Sequence, residues 1–94
     1  RPGARVVASF DGRIIYAGPF RTYGNILIID HGEGFSTLLV GLGYIGVKTD
    51  QVILGGEPVG KMRTVPLKNK QINQKLYIEL RKHGTPIDPM AWLS

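Results

Sequence analysis

Apolar and polar positions alternate along most of this chain, in short bursts separated by turn residues. Val6-Val7-Ala8, Arg13-Ile14-Ile15-Tyr16-Ala17, Ile26-Leu27-Ile28-Ile29, Phe35-Ser36-Thr37-Leu38-Leu39-Val40, Val52-Ile53-Leu54 and Leu76-Tyr77-Ile78-Glu79-Leu80 are rich in β-branched and aromatic residues. A period of two sends every other side chain to the same face, so these segments predict strands. Between them, Asp11-Gly12, His31-Gly32-Glu33-Gly34, Asp50-Gln51 and Gly55-Gly56 supply residues that accept positive φ, which predicts tight turns. Apart from one turn at Pro89-Met90-Ala91-Trp92-Leu93, no stretch holds a helical period over about eleven residues. The expected architecture is mostly β, an antiparallel sheet with little helix, against which Trp92 packs.

An internal echo refines this. Gly3-Ala4-Arg5-Val6-Val7-Ala8 leading to Asp11-Gly12-Arg13-Ile14 resembles Asp50-Gln51-Val52-Ile53-Leu54 leading to Gly56-Glu57-Pro58-Val59-Gly60. Two similar strand–turn–strand units predict a sandwich or half-barrel built by duplication. Biotinyl and lipoyl carrier domains share the rhythm, but they need a lysine between small or methionine neighbours at a hairpin tip, and Gly60-Lys61-Met62 matches that poorly.

A chain of 94 residues supports one core, since at this size only about 60–65% of the unfolded surface is buried. The span 1–94 is therefore expected to be a single domain. No run reaches the roughly 18 apolar residues of a membrane span, and Arg1-Pro2-Gly3-Ala4 is no signal peptide. The absence of cysteine excludes disulfides, thiolate zinc sites and cysteine nucleophiles, but suits a reducing cytosol and a disulfide-free periplasmic protein equally. The net charge of +5 is uneven: Lys61, Arg63, Lys68, Lys70 and Lys75 fall in a stretch without a carboxylate. Such a stretch reads either as a solvated basic loop or as a surface for an acidic partner.

Several fragments in register carry a family likeness. Gly3-x-x-Val6-x-Ala8-x-x-Asp11-Gly12-Arg13-Ile14, Tyr23-Gly24-Asn25-x-x-x-Ile29-Asp30-His31-Gly32, Ser36-Thr37-Leu38, Gly56-x-x-Val59-Gly60, Tyr77-Ile78-Glu79-Leu80-Arg81 and Gly84-x-Pro86-Ile87-Asp88-Pro89-x-x-Trp92-Leu93 together resemble the lysostaphin/LytM-type zinc peptidase domain. The resemblance covers nearly the whole chain. It implies a duplicated hybrid β-sandwich with an open groove, and a domain that lacks its N-terminal edge and any upstream coiled-coil region.

In active members of that family, zinc is held by a His-x-x-x-Asp motif and by the second histidine of His-x-His, with two further histidines assisting. A hydrolytic zinc wants about three protein ligands and one open position for water. By the resemblance, the Tyr-Ala-His-Leu segment corresponds to Leu39-Val40-Gly41-Leu42, so Gly41 stands at a catalytic histidine, while Lys75 and Tyr77 stand at the two histidines of His-x-His. An ammonium at Lys75 would oppose a divalent cation. His31 and His83 have no ligand spacing with each other and read as structural or surface residues. No metal and no other cofactor is expected.

The resemblance thus implies a degenerate, non-catalytic domain of the EnvC-like type, which binds and activates a periplasmic peptidoglycan amidase, an N-acetylmuramoyl-L-alanine amidase, during cell division and cell-wall remodelling. Strand alternation places Lys75, Tyr77, Glu79 and Arg81 on one face and Thr37, Leu39 and Gly41 on another row, and the two rows are expected to line the former active site. Leu39, Gly41, Lys75, Tyr77 and Arg81 are the predicted partner-binding groove. Two other readings are a peptidoglycan-binding module without a protein partner and an active zinc endopeptidase. A nucleic-acid partner has only the basic stretch in its favour and no recognition motif.

Overall fold

The computed structural model describes residues 3–83 and 85–87. Among them the chain forms strands only, with no helix: β1 (Arg5–Val7), β2 (Gly12–Pro19), β3 (Asn25–Gly32), β4 (Phe35–Ile45), β5 (Val52–Ile53), β6 (Pro58–Met62), β7 (Thr64–Leu67), β8 (Lys70–Asn73), β9 (Tyr77–Lys82) and β10 (Thr85–Ile87). The predicted mostly-β, antiparallel architecture is what the chain adopts. The predicted contact of Trp92 and the turn at 89–93 lie outside the described residues.

The main sheet runs β1-β6-β4-β3-β2-β5, with every neighbour antiparallel. The repeated units do not pair within themselves. β1 pairs β6 and β2 pairs β5, so each half of the echo is completed by the other. The amide of Ala8 donates to the Glu57 carbonyl at 2.9 Å and the Ala8 carbonyl accepts from Gly56 at 2.7 Å, which ties the β1 end of the sheet to the turn after β5. The sheet therefore curls, and Ile14, Leu27, Ile29, Leu42, Ile53 and Val59 fill its inside. At Asp50 φ is 74°, the left-handed conformation that aspartate tolerates better than most residues.

β4 organises the molecule because its two halves have different partners. Phe35 to Val40 pair β9, whereas Leu42 to Ile45 pair β6, and β10 extends the sheet beyond β9. The break between the halves is Gly41. Asn25 and Ile26 of β3 face Leu42 and Val40, so Gly41 is an extra residue in the ladder, with φ at 95°. A bulge of this kind wants a residue without a Cβ, and it shifts the side-chain phase by one. Thr37, Leu39 and Leu42 consequently all point into the core.

The basic stretch is not a loop. β7 and β8 form a hairpin, registered Thr64↔Asn73, Val65↔Ile72, Pro66↔Gln71 and Leu67↔Lys70. Its turn residues Lys68 and Asn69 both have positive φ, 45° and 63°, the geometry of a tight two-residue hairpin turn without the glycine that usually announces it.

Candidate functional site

Tyr77, Glu79 and Arg81 alternate along β9 and share one face of it. Antiparallel partners lie on the same face, and the register sets Tyr77 opposite Val40, Glu79 opposite Leu38 and Arg81 opposite Ser36. Thr37 and Leu39 pair with Leu80 and Ile78 on the other face. The expected joining of the Leu39 row to the Tyr77 row is thus out by one residue. Leu39 is 4% exposed and belongs to the core, while Leu38 and Val40 take its place beside Tyr77.

Gly41, being bulged, faces neither row in regular alternation. A Cβ built there would lie 3.7 Å from the Lys75 carbonyl, so Gly41 and Lys75 are adjacent through backbone. Lys75 precedes the start of β9 and is exposed, so strand alternation does not aim it. Of the five residues expected in the groove, Tyr77 and Arg81 meet in it, Gly41 and Lys75 adjoin each other, and Leu39 is on the far side of the sheet.

The groove itself is a cleft of about 480 Å³. Ile26, Leu38 and Val40 make an apolar floor, Tyr77, Glu79 and Arg81 form one wall, and Phe20 and Tyr23 form the other. It continues past Leu38 toward Ile28 and Tyr16. The aromatic wall is built by the β2–β3 turn, which the Phe20 amide and Gly24 carbonyl close at 3.0 Å. Phe20 stacks on Tyr23 with centroids 6.3 Å apart, meets Tyr16 edge-on at 6.1 Å, and carries the Arg21 guanidinium 5.4 Å from its centroid. Phe20, Tyr23, Leu38 and Val40 were not among the residues expected here. The Phe20 to Gly24 segment has no strand period, and the floor residues follow from alternation only once the register is fixed.

The β9 wall is a connected polar row. The Glu79 carboxylate accepts from Arg81 Nε at 3.0 Å and Nη2 at 2.8 Å on Oε1, and from the Tyr77 hydroxyl at 3.2 Å on Oε2. The Glu79 side chain is only 13% exposed, and its charge is matched by Arg81. The hydrogen bond to Glu79 pushes the Tyr77 phenol above its ordinary value, with partial burial and the Glu79 charge acting in the same direction and Arg81 opposing them. Tyr77 nevertheless remains 56% exposed, so its ring is available at the rim.

His31 is committed elsewhere. Its Nδ1 lies 2.7 Å from the Asp11 carbonyl and its Nε2 2.6 Å from Thr37 Oγ1. A carbonyl can only accept, so Nδ1 carries a proton, and in that tautomer Nε2 accepts from the Thr37 hydroxyl. This is a brace between β3, β4 and the turn before β2. His83 occupies the β9–β10 turn, where its amide donates to the Gly34 carbonyl at 2.6 Å. In a wider hollow of about 650 Å³ around Phe10, Asp11 and His31, Asp11 Oδ1 accepts from the Gly55 amide and the Phe10 ring meets His31 edge-on at 5.6 Å. Among the described residues, no three His, Cys, Asp or Glu side chains are grouped so as to hold a metal ion.

The profile of peptidase family M23 matches residues 1–89. Over 91 residues the chain is 30% identical to the murein hydrolase activator EnvC of Escherichia coli, covering 97% of this chain and 21% of that protein. It is 28% identical over 92 residues to the murein hydrolase activator NlpD of Salmonella typhimurium, covering 97% of this chain and 23% of that protein. It is 34% identical over 92 residues to the outer membrane antigenic lipoprotein B of Haemophilus influenzae, covering 97% of this chain and 22% of that one. Among solved structures, a zinc containing peptidase from Vibrio cholerae matches with a TM-score of 0.78 at 27% identity, over 96% of this chain and 27% of that one. The catalytic domain of lysostaphin from Staphylococcus simulans shares the fold, with a TM-score of 0.78 at 21% identity over 99% of this chain and 72% of that one. The chain spans between 14% and 23% of the length of the curated relatives that it matches first. Two of the proteins named above are activators by name, not peptidases.

Proposed function

Because this chain belongs to peptidase family M23, we propose that it is a member without catalytic activity, which binds and activates a periplasmic peptidoglycan amidase through the β9 cleft. The observation that carries the reading is Tyr77. At the position that the family resemblance assigns to a zinc-ligand histidine stands a phenol, hydrogen-bonded to Glu79 and turned toward an apolar floor. A neutral phenol held by a carboxylate is a poor ligand, and Gly41 and Lys75 offer neither an imidazole nor a carboxylate nearby. The donor set does not suit zinc, and no step through a metal is derived.

What remains suits recognition. Tyrosine and arginine are common interface anchors because each offers apolar area with a polar end. Here Tyr77 and Arg81 flank Glu79 along one wall, facing the aromatic pair Phe20 and Tyr23 across an aliphatic floor. An amphipathic helix of the partner would lay its apolar stripe on Ile26, Leu38 and Val40 and its polar flank along the β9 row. Activation is then a population shift. The domain binds the open amidase more tightly than the closed one, and that difference in affinity sets the stimulation. The names of the murein hydrolase activators and of the outer membrane lipoprotein support a place in the cell envelope.

The test is to make Tyr77→Ala and Arg81→Ala, and to compare thermal unfolding with stimulation of an amidase on purified peptidoglycan. Truncating an interface anchor costs about 1–4 kcal/mol of binding, whereas truncating the exposed Tyr77 alters folding by about 0.5 kcal/mol. Arg81→Ala also unpairs the largely buried Glu79 carboxylate and lowers stability further, so its stimulation is compared well below its unfolding temperature. Both variants are expected to stay folded and to stimulate poorly. Full stimulation by both, or about one zinc per chain after dialysis together with cleavage of cross-linked muropeptides, would overturn the proposal.

A further inference from the structure

The β7–β8 hairpin plays no part in the cleft, and its two faces differ. Register places Thr64, Pro66, Gln71 and Asn73 on one face, where the Thr64 hydroxyl donates to Gln71 Oε1 at 3.0 Å. The other face carries Val65, Leu67, Lys70 and Ile72. Leu67 is 53% exposed and Ile72 40%, on a hairpin whose strands, among the described residues, pack extensively only on each other. Around these aliphatic groups stand the exposed Lys68 at the tip, Lys70 beside it and Arg63 at the base, in a stretch from Lys61 to Lys75 that has no carboxylate.

An isolated two-stranded hairpin is only marginally stable in water. This one is fastened at its base: Asn73 Oδ1 accepts from the amides of Gly3 at 2.7 Å and Ala4 at 3.3 Å, and the Gln74 amide donates to the Arg63 carbonyl at 2.5 Å. The arm is held by its root while its tip is left to solvent.

We propose that the β7–β8 hairpin is a membrane-docking arm, which seats Leu67 and Ile72 in the headgroup layer of a bilayer containing anionic lipid. A polyanion such as a nucleic acid or an acidic glycan would use the lysines alone and gain nothing from exposed aliphatic side chains. A protein pocket would need a concave partner fitted to a tip of this shape. A lipid interface takes both features together, because aliphatic groups enter the acyl boundary while lysines reach the phosphates. Docking in this way would hold the domain against a leaflet with its cleft on a different set of strands, still open to a partner.

The experiment is sedimentation of the 94-residue chain with vesicles of phosphatidylethanolamine and phosphatidylglycerol at 3:1, against vesicles of pure phosphatidylcholine. Binding to the anionic vesicles is expected and binding to the neutral ones is not. Each lysine near an anionic surface contributes roughly fivefold, so Lys68→Gln with Lys70→Gln should weaken binding about twentyfold or more. Leu67→Asn should weaken it about tenfold, although it leaves the charge unchanged. Because the chain has no cysteine, Asn69→Cys gives a single labelling site, and an environment-sensitive dye there should blue-shift on anionic vesicles. Thermal unfolding of each variant separates lost docking from lost fold; it is expected to be unchanged for the lysine and Leu67 variants, and Asn69→Cys, at φ 63°, is expected to lose a little stability. Failure to bind anionic vesicles would sink the proposal. So would an unaltered Leu67→Asn beside a weakened lysine variant, which would mean charge association only, or retention on purified cell wall with none on vesicles.

Discussion

At Tyr77 the sequence pattern sets the face of the strand but not the chemistry of the side chain. Its position in the groove follows from alternation along β9, but its coupling to Glu79 and through it to Arg81 depends on rotamers that no pattern specifies. That coupling has a titration signature. The raised phenol pKa arises first from the hydrogen bond to Glu79, then from partial burial and the Glu79 charge. With the folded value above the unfolded one, the stabilisation is fully present below the ordinary phenol value of about 10 and is lost as pH rises through the raised value. In Glu79→Ala, the ionisation of the Tyr77 phenol, identified in an absorbance titration by its loss in Tyr77→Phe, should move to lower pH. An unchanged titration would mean that the Tyr77–Glu79 contact does not form in solution. His31 is the opposite case, where the two ring nitrogens find the Asp11 carbonyl and the Thr37 hydroxyl and leave nothing over for a ligand.

At the scale of elements, the strand segments rich in β-branched residues were legible because hydrophobic period and turn chemistry agreed with each other. The two failures share a cause, which is that register is a property of pairs. In β4 a strict period would run through Gly41, but the bulge there resets the phase, so that Leu39 and Leu42 both enter the core. Across the ladder, Leu38 and not Leu39 faces the cleft with Tyr77. Leu39→Ala should therefore cost about 2–5 kcal/mol of folding stability, as a large-to-small change in a packed interior does. Leu38→Ala should cost clearly less and instead reduce amidase stimulation; denaturant unfolding of the pair decides it, and equal losses of stability would contradict the register. The β7–β8 hairpin escaped notice for a different reason. Pro66, a run of polar residues and a Lys68-Asn69 turn lack the signals of a strand pair, and its fastening to Gly3 and Ala4 is a long-range contact.

Among the described residues the main sheet curls around a hydrophobic core, and the small size of that core makes it sensitive. Leu27, 0% exposed, lies in the middle of β3, with β2 on one side and β4 on the other. Leu27→Ala is expected to cost about 2–5 kcal/mol, a large part of the roughly 5–15 kcal/mol that holds a domain of this size together. Near 94 residues each kcal/mol lowers the melting temperature by about 4–8 °C, so the drop should exceed about 8 °C in a thermal scan. A drop of only a degree or two would mean that the core can close over the gap. The same curl puts the core on one face of β3, β4 and β9 and the cleft on the other, so that core and cleft draw on alternate residues of the same strands.

The order of hydrophobic and polar residues determined that this chain is a β domain, that its two halves echo each other, and that Tyr77 and Arg81 share a face. Each of these depends on neighbours in sequence and on a fixed period of two. The pairing of β1 with β6 and of β2 with β5, the bulge at Gly41, the aromatic wall of Phe20 and Tyr23, and the choice of Leu38 over Leu39 were decided only by tertiary structure. They depend on which strand lies beside which and with what offset, and a shift of one residue in that offset exchanges the inside of the sheet for the outside.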